Sequence, residues 1–231
     1  MAAINQYDEV YNRVCQMFNE QQAIHSTVVG DSHGVRLYTS LGRSFHASAY
    51  SDFLLTRSRA RGGAMALNFS VSGIRRDDGT DVVILWIQGN DLDEDHQNMQ
   101  DLLEYVHRQA APGIFRIFRE LTRLDKIVYV ILLPARFRVR HASPGSYDRV
   151  CRRFNNLLRT YLGGRVIGLD QDCFLANAYV DGDHLNDHYY SVTAERVREF
   201  IRTDLRESLT LPSSFLKRFF RTMRNHAHYQ D

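Results

Sequence analysis

Three side chains that together could perform nucleophilic chemistry lie in two distant segments of the chain. Ser32 lies in the turn-forming sequence Gly30-Asp31-Ser32-His33-Gly34, and Asp181 and His184 are three residues apart far downstream. A serine hydroxyl is a poor nucleophile and needs a histidine base, which in turn needs a carboxylate to fix its tautomer and stabilise its charge. These residue types therefore favour hydrolysis by a serine nucleophile.

The turn by itself also fits two other kinds of hydrolytic site. Gly30-x-Ser32-x-Gly34 matches the nucleophile elbow of α/β-hydrolases, but that elbow normally follows several strands, whereas Ser32 follows the first predicted strand. Asp31 and His33 match the first metal-binding block of metallophosphoesterases, where they would bind a dinuclear metal centre and activate water. The later blocks of that class do not appear. We expect no metal and no cofactor.

Composition limits the class of protein. The chain has 231 residues, of which 44% are hydrophobic, enough for one sizeable core. No apolar run approaches the roughly 20 residues that span a bilayer, and the N-terminus lacks the features of a secretory signal, so a soluble, intracellular protein is expected. Cys15, Cys151 and Cys173 are odd in number and form no CxxC pair, which predicts buried thiols rather than disulfides or a zinc site.

Positive charge is concentrated in the second part of the chain. Residues 1–95 carry 8 Arg against 12 acids, and residues 96–231 carry 21 Lys and Arg against 15 acids. Two basic features stand out: Arg57-Ser58-Arg59-Ala60-Arg61, and a predicted C-terminal amphipathic helix at 215–224. The Arg-rich C-terminal part could contact nucleic acid or an anionic surface. A binding or scaffold protein with little catalysis is therefore the alternative function.

The hydrophobic periodicity predicts alternating strands and helices. The predicted strands are 27–29, 64–69, 81–87, 127–133 and 165–168, and the predicted helices are 4–24, 35–42, 95–123 with a break at Pro112-Gly113, and 146–162. This alternation predicts a three-layer α/β/α sandwich with a central parallel sheet of about five strands. Ligands of such sheets bind outside the carboxyl ends of the strands, where Ser32, Gly73 and Asn90 would lie.

Four short motifs in this order resemble the four blocks of the SGNH (GDSL-type) hydrolase superfamily. They are Gly30-Asp31-Ser32, Ser72-Gly73, Gly89-Asn90-Asp91 and Asp181-Gly182-Asp183-His184. The chain departs from the family pattern in having His33 where leucine is common and Gln88 where the third block begins with glycine. The resemblance covers residues 27 to about 200.

The resemblance implies a flavodoxin-like fold and a role for each motif residue. Ser32 would be the nucleophile, His184 its base and Asp181 the group that orients His184. The N–H groups of Ser32 and Gly73 and the side-chain amide of Asn90 would hold the oxyanion. The substrate would be a small-molecule, glycan or lipid ester, cleaved through an acyl-enzyme. Related domains occur in proteins of retrotransposons and viruses, and the Arg-rich segment after the fourth strand is similar to theirs.

The sequence divides into three predicted parts. Residues 1–25 form an amphipathic helix packed on the domain, residues 26–207 form the hydrolase-like domain, and residues 208–231 form a basic C-terminal helix or tail. The segments 43–63 and 134–146 should border the crevice, but the sequence indicates no substrate preference for them. It indicates no oligomeric state either.

Overall fold

A single sheet of five parallel strands forms the centre of the molecule. The computed structural model describes residues 2–44, 53–87, 89–92, 99–135 and 144–208. The strands are β1 (Ile24–Gly30), β2 (Leu54–Ser58), β3 (Val82–Trp86), β4 (Ile127–Ile131) and β5 (Val166–Ile167). Their order across the sheet is β2-β1-β3-β4-β5, and every pairing is parallel. Because all strands point the same way, their carboxyl ends share one edge.

Helices cover both faces of this sheet. They are α1 (Ala2–Asn19), α2 (Ser32–Ser44), α3 (Met99–Tyr105), α4 (Ala111–Arg123), α5 (Pro144–Leu162) and α6 (Asp187–Ser208). α1 and α2 contact α6 on one side, and α3 and α4 contact α5 on the other. The predicted three-layer sandwich is confirmed. Every residue of β3 and β4 is buried, as expected for central strands covered on both faces.

The predicted second strand at 64–69 is wrong. That segment consists of turns, and the Arg116 guanidinium donates hydrogen bonds to the carbonyl oxygens of Ala66, Leu67 and Phe69, the acceptors that a strand would offer to its neighbour. The second strand is β2, which is largely exposed and polar at the sheet edge. An edge strand with one face in solvent lacks the apolar run by which buried strands are recognised.

The predicted break at Pro112-Gly113 is also absent. The chain stays helical from Met99 to Arg123, and a π-helical segment, Val106–Ala110, joins α3 to α4. Proline inside a helix lacks an N–H and clashes with the preceding turn, and a wider π turn accommodates both effects. Pro112 thus lies in the first turn of α4, where its missing N–H is tolerated.

The N-terminal helix belongs to the same core as the sheet. Tyr11, Val14 and Cys15 of α1 are buried in it, and all three cysteines are buried and free, as predicted. The predicted basic helix at 215–224 lies outside the described residues. None of the helices in the described ranges is long and apolar enough to cross a membrane.

Candidate active site

The first part of the site is the tight turn between β1 and α2. β1 ends at Gly30, where a side chain is impossible because a Cβ would lie 2.1 Å from the Trp86 carbonyl oxygen. Asp31 is fully buried, and its carboxylate accepts hydrogen bonds from the N–H of His33 (2.8 Å) and of Gly89 (2.9 Å). Asp31 therefore ties the end of β1 to the loop after β3.

Ser32 is the first residue of α2, so it lies at the positive end of the helix dipole. Its side chain is half-buried. No hydrogen bond runs from its N–H to another residue of the described ranges. The first N–H groups of a helix have no partner within the helix. The Ser32 N–H is thus free to donate to a ligand beside its own hydroxyl.

The second part of the site is the loop before α6, which carries Asp181 and His184. One carboxylate oxygen of Asp181 accepts hydrogen bonds from the N–H of Asp183 (2.9 Å) and of His184 (2.7 Å). Gly182 has φ 84°, a left-handed conformation that favours glycine and lets the chain turn this tightly. The Val180 N–H donates to the His184 carbonyl oxygen and closes the loop.

These two parts meet in one chain of hydrogen bonds. His184 Nε2 lies 2.9 Å from Ser32 Oγ, and His184 Nδ1 lies 2.8 Å from the second carboxylate oxygen of Asp181. Burial raises the pKa of Asp181, but the hydrogen bonds from the His184 ring and from the two backbone N–H groups outweigh it and hold this pKa well below its usual range. Asp181 is therefore ionised and can only accept. Nδ1 must therefore carry a proton, and in the neutral imidazole this leaves Nε2 to accept from the Ser32 hydroxyl.

A buried aromatic wall lies behind His184. The His33 ring is stacked on Trp86 with a centroid distance of 5.1 Å and lies 5.4 Å from the His184 ring. His33 Nδ1 is 2.8 Å from the Tyr190 hydroxyl. Burial raises the pKa of Tyr190 far above its usual range, so this hydroxyl stays neutral. The sequence identified His33 as a departure from the family pattern and as a possible metal ligand, and gave no signal of this wall.

The two predicted oxyanion residues beyond Ser32 differ in their surroundings. Asn90 follows β3, and its side-chain amide donates a hydrogen bond to the Ala64 carbonyl oxygen (3.0 Å), which leaves the second amide N–H. Gly73 lies in a turn fifteen residues beyond the end of β2, rather than at the end of a strand. The atom closest to a Cβ built there is Arg59 Nη1, at 2.8 Å.

Gly62 is a glycine near the Ser32 turn that was not singled out from the sequence. The Arg61 N–H donates to the Gly30 carbonyl oxygen (2.9 Å), and the Ala64 carbonyl accepts from Asn90. Gly62 lies between these two contacts, and a Cβ built on it meets nothing within 4 Å. Placing the second strand at 64–69 hid this glycine. The sequence did contain a signal for a strand followed by a turn at this position. The pair Gly62-Gly63 comes directly after a short run in which arginine alternates with small residues.

The arrangement gives no support to a metal centre built on Asp31 and His33. The Asp31 carboxylate is occupied by backbone N–H groups, and His33 Nδ1 by Tyr190. Within the described ranges, no group of three or more His, Cys, Asp or Glu side chains is placed to hold a metal ion.

Comparison with solved structures identifies the fold. A carbohydrate acetylesterase from Sinorhizobium meliloti superposes with a TM-score of 0.56 at 11% identity, covering 78% of this chain and 99% of that one. A psychrotrophic esterase from Pseudoalteromonas sp. gives 0.54 at 9% identity, covering 79% and 98%. A GDSL-like lipase from Bacteroides thetaiotaomicron gives 0.52 at 15% identity, covering 86% and 99%.

Sequence comparison adds nothing to this result, since no protein-family model matches the chain and no characterised sequence matches it significantly. Likeness at such low identity shows the fold alone. The chain therefore has the fold of the SGNH (GDSL-type) hydrolases.

Proposed function

We propose that the protein is a serine esterase that cleaves an acyl or acetyl ester through an acyl-enzyme. The observation that carries this proposal is the hydrogen-bond chain from Ser32 Oγ through the His184 ring to the Asp181 carboxylate. The three groups come from segments about 150 residues apart in sequence, and their distances are those of a nucleophile, its base and an orienting carboxylate.

In the acylation half, Ser32 Oγ attacks the ester carbonyl carbon while its proton passes to His184 Nε2. The imidazolium that forms is stabilised by the ionised Asp181 at Nδ1. Collapse of the tetrahedral intermediate breaks the bond to the alcohol oxygen, which takes the proton from Nε2. The products of this half are the free alcohol and the acyl ester of Ser32.

In the deacylation half, water takes the place of the alcohol. His184 Nε2 removes a proton from the water as its oxygen attacks the acyl carbon. The second intermediate collapses with Ser32 Oγ as the leaving group, and Oγ recovers the proton from Nε2. The carboxylic acid leaves and the enzyme returns to its first state.

The negative charge of both intermediates needs donors near Ser32. We assign the Ser32 N–H and the second amide N–H of Asn90 to this role. Gly73 remains the third donor predicted from sequence, and the Gly62 N–H is the competing choice because Gly62 lies between the contacts of Gly30 and Asn90. Donors aimed at developing charge are worth about 10²–10³-fold in rate each.

The similar structures support an ester substrate in general terms. They include proteins described as an acetyl xylan esterase, a carbohydrate acetylesterase and a GDSL-like lipase. Small-molecule, glycan and lipid esters are all represented among such names. We therefore propose an ester of one of these kinds as substrate.

Labelling with a fluorophosphonate probe tests the nucleophile without knowledge of the substrate. We expect covalent modification of Ser32, located by mass mapping, and hydrolysis of p-nitrophenyl acetate by the unmodified protein. Ser32→Ala should lose both properties and keep its circular dichroism spectrum. Ser70→Ala, which removes an exposed hydroxyl of the 64–74 connection, should keep them. Labelling at any other residue would refute the assignment.

The alternative of a binding or scaffold protein rests on the basic C-terminal part of the chain, residues 96–231, of which residues 209–231 lie outside the described ranges. A protein that resists the probe and the ester but shifts nucleic acid in a salt-dependent manner would favour it.

A further inference from the structure

Three arginines form a row that leads into the candidate active site. We call Arg57, Arg59 and Arg61 the arginine row. Arg57 is in β2, and the pairing with β1 continues beyond that strand, since the Arg59 N–H donates to the Val28 carbonyl oxygen (2.8 Å) and the Arg61 N–H to that of Gly30 (2.9 Å). Alternate residues of an extended chain share one face and are about 6.6 Å apart. The backbone therefore presents the three side chains on one face, in regular steps.

The residue between two of these arginines shows which face this is. The Ala60 Cβ lies 3.0 Å from the position that a Cβ of Gly34 would occupy, so Ala60 faces α2. The arginine row accordingly faces the other side of the sheet edge, where Arg59 Nη1 lies against Gly73. All three arginines are exposed to solvent.

The last arginine of the row lies beside the turn that carries the proposed nucleophile. The Arg61 backbone N–H donates a hydrogen bond to the carbonyl oxygen of Gly30, which is two residues before Ser32. A fourth arginine approaches from the other side: Arg36 is one helical turn after Ser32 on α2, and its guanidinium carbon lies 5.9 Å from the centre of the Tyr190 ring. Arg36 and the arginine row therefore lie in the two segments that flank the Ser32 turn, one on α2 and the other in the extension of β2.

Within the described ranges, no carboxylate lies within ion-pair distance of Arg36 or of the arginine row. The two carboxylates beside Ser32 are held elsewhere, Asp31 by backbone N–H groups and Asp181 by His184. By contrast, arginines of other surfaces, such as Arg13 and Arg76, are paired with aspartates.

We propose that the arginine row binds an anionic group of the substrate, so that the ester is carried by a molecule bearing carboxylate, phosphate or sulfate. Guanidinium groups bind these anions through two parallel N–H donors. A cleft lined by one sign of charge also raises the local concentration of an oppositely charged ligand. That the anionic molecule carries the scissile ester rests on the proposed function. Anion binding by the row rests only on the arginines.

The experiment separates these two statements by measuring binding in Ser32→Ala and turnover in the wild-type protein. The probes are 4-acetoxybenzoate, its neutral methyl ester and 4-acetoxyphenyl phosphate. Titration calorimetry of Ser32→Ala at low ionic strength should show that the two anions bind at least about fivefold more tightly than the neutral ester, a preference that 0.5 M salt removes. The relative affinity of the carboxylate and the phosphate identifies the anion.

Variants locate the anion site. Arg61→Gln in the Ser32→Ala background should reduce the preference for the anion by about threefold to tenfold, and glutamine at all three positions of the row should abolish it. Arg206→Gln is the matched control, because Arg206 is exposed near the end of α6, about 28 Å along that helix from Asp187. It should retain the full preference.

Two results would overturn the proposal: equal binding of the charged and neutral probes, or an anion preference that survives replacement of the whole row. Failure of the proposed function has a different signature, because wild-type protein would then hydrolyse none of the three esters while the binding preference of Ser32→Ala stayed intact.

Discussion

At the scale of single residues, the ionisation state of Asp181 determines which nitrogen of neutral His184 carries the proton. Three hydrogen bonds keep this carboxylate ionised, so it can only accept, and in the neutral imidazole of His184 it fixes the tautomer that has the proton on Nδ1 and the lone pair of Nε2 toward Ser32. The residue types and their order were predictable from the sequence. The tautomer was not, because it depends on distances between groups 152 residues apart.

Asp181→Asn tests this dependence. An asparagine amide can donate to Nδ1, which would move the imidazole proton to Nε2 and leave Ser32 without a base. We expect kcat for p-nitrophenyl acetate to fall about 10²–10⁴-fold with little change in KM. Asp183→Asn changes a neighbouring carboxylate of the same loop and should cost less than about threefold. Equal losses in both variants would contradict the assigned role.

The choice between Gly62 and Gly73 as oxyanion donor is a second prediction at this scale. Gly62→Pro removes an N–H and should lower kcat by about 10²–10³-fold, whereas Gly62→Ala keeps the N–H and has space for its Cβ. Gly73→Pro should have a much smaller effect. The reverse result, a large loss only at position 73, would restore the donor predicted from sequence.

At the scale of elements, a buried polar cluster joins four of them. One carboxylate oxygen of Asp204 in α6 accepts hydrogen bonds from Tyr11 of α1 (2.8 Å), from Tyr129 of β4 (2.6 Å) and from Arg165 just before β5 (2.6 Å). The Arg165 guanidinium also lies over the rings of both tyrosines. This cluster holds α1 and α6 against the sheet, and α6 in turn follows directly on the loop that carries His184.

Replacing Asp204 should therefore loosen the layer that supports the site. Asp204→Ala removes the carboxylate that accepts from two hydroxyls and from the Arg165 side chain, which is only 6% exposed, and we expect a loss of about 2–4 kcal/mol in the free energy of unfolding. Urea titration measures it. Glu199→Gln breaks an exposed ion pair of the same helix and should cost less than about 0.5 kcal/mol. A similar cost for both variants would contradict the importance of the cluster.

Element prediction succeeded where burial is complete and failed where it is partial. β3 and β4 are fully buried and were evident as continuous apolar runs. β2 was missed because its polar outer residues, including Arg57, belong to an exposed sheet edge. The segment 64–69 does not form a strand, because hydrogen bonds from Arg116 of α4 to its backbone carbonyl groups hold it against that helix. Arg116 is about 50 residues away in sequence, and local periodicity does not contain such a tertiary contact.

At the scale of the whole molecule, stability should depend on acidic pH. The connection before β3 is held by Lys126, which is almost fully buried and donates to the Asp78 carboxylate (2.9 Å) and to the Thr80 carbonyl oxygen (2.7 Å). Burial raises the pKa of Asp78, but the hydrogen bond and charge of Lys126 outweigh it and lower this pKa below its ordinary value of 3.8. The pKa of Asp181 is lowered as well.

Carboxylates with a lowered folded-state pKa contribute stability above their unfolded pKa and lose it as the pH falls through the folded value. The free energy of unfolding should therefore decline below about pH 4. Asp78→Asn should cost about 1–3 kcal/mol at pH 7, and this difference from wild type should shrink as the pH drops below 3.8. Chemical unfolding across a pH series checks it, with Asp77→Asn, at an exposed neighbour, as control. A difference that does not change with pH would count against the ion pair.

The sequence by itself determined the α/β class, the central buried strands and the order Ser32, Asn90, Asp181 and His184, because apolar runs and residue types act locally along the chain. Only the tertiary structure decided which residues follow β2 along the edge of β1, which side chains form the wall behind His184 and where the arginine row ends. Each of these depends on which strands become neighbours and on how they are aligned. The pairing of β2 with β1 brings the Arg61 backbone to Gly30, two residues before Ser32.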